Sequence, residues 1–282
     1  MIQRESTEIM QTGGIKKNKN DRAVSETIGF VIVFGIIIGG IGLVTLYGYP
    51  MLLKQQSGAD EQIMEKNLIV LQNDVKSLAY KTVPYKETSL KVGGGALSVY
   101  NMNYGTTKSS YFTIYDDFGQ IVNADGSAPL TFYPGDIRYE SASADTGLSL
   151  ENGAVVKRML AQEGSTMLAE PRWFIDSETS TAVIYLIGFN TTDMMSRTGI
   201  GTVKMELDQA KTNSTTYSIP AGDIVHLAYN RPQDASTDYS AAWENYFKNT
   251  LHLDGPSLGA YSLPPGTQNL VITRYEILIK SL

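Results

Sequence analysis

The side chains that could do chemistry are few, and their spacing does not organise them. His226 and His252 are the two histidines, with neither HxH nor HxxxH spacing, so a histidine-based zinc site is not expected. There is no cysteine, which excludes disulfides, thiolate ligands and cysteine nucleophiles. Asp117-Phe118-Gly119 matches a kinase tripeptide, yet no glycine-rich loop, paired lysine or HRD element accompanies it. Gly93-Gly94-Gly95 lacks the GK[ST] of a phosphate loop. In Asn123-x-Asp125-Gly126 the residue that should close an EF-hand is Pro134, not glutamate; a calcium site made from turn aspartates stays open. Serine, histidine and aspartate are present without a GxSxG elbow. His226, in IVHLAY, reads as a core or interface histidine, and His252 as exposed. No catalytic residue, metal or cofactor is assigned on these motifs. Two sequons, at Asn190 and Asn213, are N-glycan acceptors if they lie outside the cell.

Composition moves attention to the N-terminus. The chain has 282 residues and a net charge of -6, which argues against a nucleic-acid partner. Residues 1–23 carry five Lys/Arg and three Asp/Glu, so the acidity lies beyond them. From Thr27 to Leu53 no residue is charged, and the run has no polar stripe. About 20 apolar residues suffice to cross a bilayer. Lys16, Lys17, Lys19 and Arg22 precede the run, while Asp60 and Glu61 follow it. The positive-inside rule therefore predicts a cytoplasmic N-terminus and an exported remainder. Gly35, Gly39 and Gly42 share one helix face and include a GxxxG pair, which admits a second helix backbone.

Arg22-Ala23 before the apolar run, and the sequence AVSETIG that follows Arg22, resemble the class III signal peptides of archaeal type IV pilins. That resemblance implies cleavage by a prepilin peptidase between Ala23 and Val24, with Arg22 as the preceding charge. Glu26 would then sit at mature position three, whereas bacterial pilins carry an assembly carboxylate at position five. Its other reading is a first-turn carboxylate suited to the helix dipole.

Pro50 is expected to kink or break the helix. Beyond it Met64, Leu68, Leu71, Val75 and Leu78 form one helical stripe, with Gln62, Lys66, Gln72, Asn73 and Lys76 on other faces. That helix is predicted over 57–81, ahead of Val83-Pro84. From Thr88 the pattern is mostly strand: 88–92 and 96–101 around a Gly93–Gly95 turn, 111–115 and 120–122 around Asp116–Gly119, then 153–159, 181–189, 199–207, 215–219 and 269–280. On the last, Val271, Thr273, Tyr275, Ile277 and Ile279 make one face. A helix over 238–250 turns Ala242, Trp243, Tyr246, Phe247 and Thr250 to one side, capped by Ser236, Thr237 or Asp238. The stretches SLENGAVVKR and AEPRW resemble parts of a group of uncharacterised archaeal surface proteins, which implies architecture and location only.

The expected fold class is α+β: a long kinked N-terminal transmembrane helix, then a mainly antiparallel, sandwich-like extracellular domain. The expected divisions are a leader 1–23, a transmembrane helix 24–49, an amphipathic stalk 50–82 and a β-rich domain 83–282. The expected function is a pilin-like surface or adhesion protein in the cell membrane. Its partners would be a prepilin peptidase, a pilus assembly platform, like subunits, the lipid bilayer and a surface glycan. The alternative is a membrane-anchored binding module that never polymerises.

Overall fold

A computed structural model describes residues 19–81, 83–102, 109–121, 128–142, 146–159, 164–233, 237–257 and 259–282, with side chains from residue 26 onward. Helix α1 is Lys19–Leu43 and α2 is Tyr49–Tyr80. The strands are β1 Tyr85–Tyr100, β2 Tyr111–Asp116, β3 Leu130–Phe132, β4 Asp136–Ser141, β5 Thr146–Glu151, β6 Ala154–Met159, β7 Ser165–Ala169, β8 Phe174–Asp176, β9 Thr181–Asn190, β10 Met195–Ser218 and β11 Val225–Asn230. Helix α3, Ser240–Asn245, precedes β12 Asp254–Ser257, β13 Ala260–Ser262 and β14 Asn269–Ser281. The chain divides into two compact units, Met1–Leu53 and Lys54–Leu282.

In the first unit one apolar helix is long enough to cross a membrane, and its side chains from Glu26 to Leu53 are almost all exposed. The predicted break at Pro50 does not occur. A five-residue π-turn, Val44–Gly48, stands before the proline. There the Tyr49 N–H reaches back to the Val44 carbonyl, and the Thr45 hydroxyl donates to the Ile41 carbonyl at 2.8 Å. Proline lacks an N–H and crowds the preceding turn. A wider turn and a hydroxyl relieve both problems without ending the helix.

In the second unit a nine-stranded sheet has the order β7-β6-β5-β4-β1-β10-β14-β9-β8, and a five-stranded sheet the order β12-β13-β11-β2-β3. All neighbours are antiparallel except β14 and β9, which run parallel. The amphipathic stripe of α2 is fully buried: Met64, Leu68, Leu71, Val75 and Leu78 are each 0% exposed. They share a core with Leu97 and Val99 of β1, Val203 and Met205 of β10, and Ile277 and Ile279 of β14. From Lys54 onward this helix belongs to the strand-rich unit. Gln72, expected to point outward, is buried; its amide donates to the carbonyls of Gly153 (2.7 Å) and Glu170 (3.0 Å).

A second core draws on Phe112 and Ile114 of β2, Leu227 of β11, Ala182 and Ile184 of β9, Leu270 and Ile272 of β14, and Trp243 of α3. Strand β14 therefore buries both alternating faces, not only the odd-numbered one expected. The strands expected at 199–207 and 215–219 are one strand, β10, irregular between Asp208 and Asn213.

The Gly93–Gly95 turn is also corrected: these residues form an irregularity inside β1, between Val92 and Leu97. A side chain at Gly93 would meet the Asp60 carboxylate of α2, and a Cβ at Gly95 would lie 2.2 Å from the Glu140 carbonyl oxygen. The small residues permit both approaches. Because that oxygen is backbone and cannot swing away, Gly95→Ala is expected to cost about 2–3 kcal/mol. Denaturant unfolding of the variant checks this, and an unchanged midpoint would contradict it.

Candidate functional site

Among the described residues, most of the exposed large apolar side chains lie on the apolar helix, from Ile28 to Leu53. Around Gly35, Gly39 and Gly42 an added Cβ meets nothing within 4 Å, so that face is open within the single chain. Phe30, Ile36 and Ile41 on the same helix are each more than 60% exposed. Exposed apolar surface of this extent marks a membrane or protein contact. Glu26 lies in α1 and is exposed. Arg22, Ala23 and Val24 lie on described helical backbone, and the rest of the leader, residues 1–18, lies outside the described residues.

Of the sequons, Asn190 ends β9 and its amide is engaged: Nδ2 donates to Glu276 Oε1, and Oδ1 accepts from Asn101 at 2.8 Å. Asn213 is exposed and lies within β10, opposite Arg274 of β14. The Asn123–Gly126 segment lies outside the described residues.

The stretch SLENGAVVKR turns out to be a structural hairpin. Asn152 (φ 48°) and Gly153 (φ 74°) make the two-residue turn between β5 and β6, with the left-handed backbone that Asn-Gly adopts readily. The Asn152 side-chain oxygen accepts the Ile187 N–H at 2.7 Å. Antiparallel register sets Asp136 of β4 opposite Glu151 of β5, and Arg138 opposite Ser149. Arg138 binds both Asp136 oxygens, at 2.8 and 3.1 Å, and the Ser149 hydroxyl donates to Asp136 at 2.7 Å. Glu151 accepts the Trp243 indole N–H at 2.9 Å. All of these groups are buried. Burial, then the Asp136 charge, raises the Glu151 carboxyl to about 7. Asp136 holds the arginine in a two-pronged pair, and Glu151 stays protonated into the neutral range. The cluster was missed because no sequence spacing marks it; β4–β5 pairing gathers its charged groups and α3 adds Trp243.

The helix expected over 238–250 is α3 followed by a π-turn, Tyr246–Thr250. Asp238 accepts the Ser240 N–H at 2.9 Å; Ala242, Trp243, Tyr246 and Phe247 are buried as expected, whereas Thr250, expected on the same side, is exposed. In the AEPRW stretch, Trp173 packs against Trp243 and Phe247 and donates to the Tyr185 carbonyl.

His226 is not a core residue. It points from the outer face of the five-stranded sheet, with Nε2 2.8 Å from Asp117 Oδ1 and Nδ1 3.1 Å from Ser262 Oγ. Ser262 lies directly across from it on β13, and Asp117 follows the end of β2. The hydrogen bond from His226, then the one from the Ile224 N–H, lowers the Asp117 carboxyl from its ordinary value. Held by Asp117 on one ring nitrogen and Ser262 on the other, the imidazole has its orientation fixed from both sides. Asp117 is itself exposed. Asp116–Gly119 is a turn, as expected, closed by Gly119 N–H to Asp116 O at 2.9 Å, but residues 120 and 121 are not a strand. His252 is exposed as expected.

Among known proteins, the profile of a family described as "Family of unknown function (DUF7289)" matches residues 22–278. An uncharacterized protein of Archaeoglobus fulgidus is 24% identical over 192 residues, covering 57% of this chain and 61% of that protein. The chain thus matches less than two thirds of that relative's length. No solved structure matches.

Proposed function

We propose that this chain, which belongs to the DUF7289 family of unknown function, is a pilin-like protein of the cell surface. A prepilin peptidase cuts it after Ala23, and its apolar helix packs with those of like subunits as a minor component of a filament. The carrying observation is the pairing of a bare apolar helix with a strand-rich unit that buries its own cores. The basic flank supports a cytoplasmic N-terminus and an extracellular, sandwich-like head. Glu26 is exposed near the N-terminal end of the helix and would be the third residue after the cut, available to a neighbour's new amino terminus. The head's size suits a tip or adhesion role better than that of a bulk filament subunit.

The open glycine face gives a test specific to assembly. A Cβ added at position 39 meets nothing within 4 Å, so a larger side chain there would be felt chiefly by a neighbouring helix. Gly39→Leu is expected to leave the membrane level of the protein unchanged. Its recovery in sheared surface filaments should fall by about tenfold, the effect of overpacking a close helix contact. Unchanged recovery in the sheared fraction would favour the anchored binding module that does not polymerise.

A further inference from the structure

The last turns of α2 and the segment leading into β8 enclose a cleft of about 680 Å³. This lies within the roughly 300–1,000 Å³ range of small-molecule sites. Its polar lining includes three bases: Lys76 from α2, Lys81 just after its end, and Arg172 from the AEPRW stretch. The Arg172 guanidinium sits 5.0 Å from the centre of the Tyr80 ring. Phe174, 44% exposed, forms part of the wall.

Several bases of the domain meet carboxylates: Lys157 meets Glu65, Lys211 meets Glu276 and Arg138 meets Asp136. Among the described residues no ion pair reaches Lys76, Lys81 or Arg172. Lys76 donates instead to the Glu170 main-chain carbonyl at 3.3 Å, and the Glu170 carboxylate accepts from Thr250 at 2.8 Å. Burial, then the nearby Arg172 charge, lowers the Lys76 ammonium from its ordinary value, against the smaller pull of Glu170. Three like charges thus converge on one cleft of an acidic chain, where the favourable filling is an anion.

The walls narrow the class of anion. Phe174 offers exposed ring surface beside the Arg172–Tyr80 stack, and Asn73 offers an exposed amide. A pyranose presents C–H groups to an aromatic face and hydroxyls to an amide, and an acidic substituent on it would meet the cations. We propose that this cleft binds an anionic sugar unit, uronate or sulfated, of a surface polysaccharide. The proposal deepens the adhesion reading above by naming its ligand class.

The test is calorimetric titration of the purified full chain in detergent, using a uronate trisaccharide, a sulfated trisaccharide and a neutral trisaccharide of equal length. At least one anionic sugar is expected to bind, weakening as salt rises, and the neutral one is not. Arg172→Gln and Lys81→Gln are each expected to lower that affinity by about tenfold, with unfolding unchanged. Phe174→Ala should weaken it while leaving the salt dependence intact. Binding of neither anionic sugar overturns the proposal. So does equal binding of an acidic tripeptide, or affinity indifferent to the Arg172 and Lys81 variants. The experiment is independent of N-terminal processing, so its failure leaves the pilin reading standing, and the converse holds.

Discussion

Cutting the chain between Leu53 and Lys54 is expected to turn a membrane-bound protein into a soluble, cooperatively folding one. The boundary is where the compact units divide. On its N-terminal side the side chains of Ile28 to Leu53 are almost all exposed. Burying that surface in lipid is favourable by on the order of tens of kcal/mol, at about 25 cal/mol per Å². On the C-terminal side α2 loses none of its buried stripe, whose first apolar member is Met64. Gln72 and the ion pairs from Glu61 and Glu65 to Lys157 also stay in place. Sedimentation of cell extracts checks the outcome. The intact chain should pellet with membranes, and residues 54–282 should stay in the supernatant with a single unfolding transition. A truncated chain that aggregates or remains on membranes would contradict the assignment of α2 to the folded unit.

The second large effect concerns pH. The Glu151 carboxyl rises from about 4.5 to about 7 on folding, chiefly through burial. Between those values the folded state holds a proton that the unfolded state has lost, so stability falls as pH rises. The contribution is complete below about pH 4.5 and lost by about pH 7, and amounts to about 3 kcal/mol at about 1.4 kcal/mol per unit. Glu151→Gln keeps an acceptor for the Trp243 indole but cannot ionise. Its unfolding free energy is expected to lack that decline and to exceed the wild-type value at pH 8. Denaturant titrations of the full chain in detergent at pH 4.5, 6 and 8 measure this. Parallel profiles for the two proteins would show that Glu151 ionises freely in the fold.

Much of this architecture was legible because it is periodic. The uncharged run from Thr27 to Leu53 and the stripe from Met64 to Leu78 follow from residue type and spacing alone. Strands β9 and β14 were legible as apolar runs, but their parallel pairing was not. Strands β4 and β5 were hidden by their own polar residues, since Asp136, Arg138 and Glu151 look like a loop until cross-strand register pairs them. Gly93–Gly95 looked like a turn because glycines permit one; the helix carboxylate pressed against Gly93 is a tertiary fact. Gln72 fell on a polar face by sequence, yet two carbonyls from distant segments bury it. His226 sat in an apolar run, but strand alternation turned it outward between Asp117 and Ser262. The processing residues are different in kind. Arg22, Ala23 and Val24 carry meaning for a peptidase rather than for the fold.

For that reason the most direct test is the mature N-terminus, read by mass spectrometry in membrane and sheared-surface fractions from cells with and without prepilin peptidase. The account predicts a peptide beginning at Val24, present only when the peptidase is. An intact chain retaining Lys16 to Ala23 in both strains would contradict pilin-type processing and leave a signal-anchored surface domain.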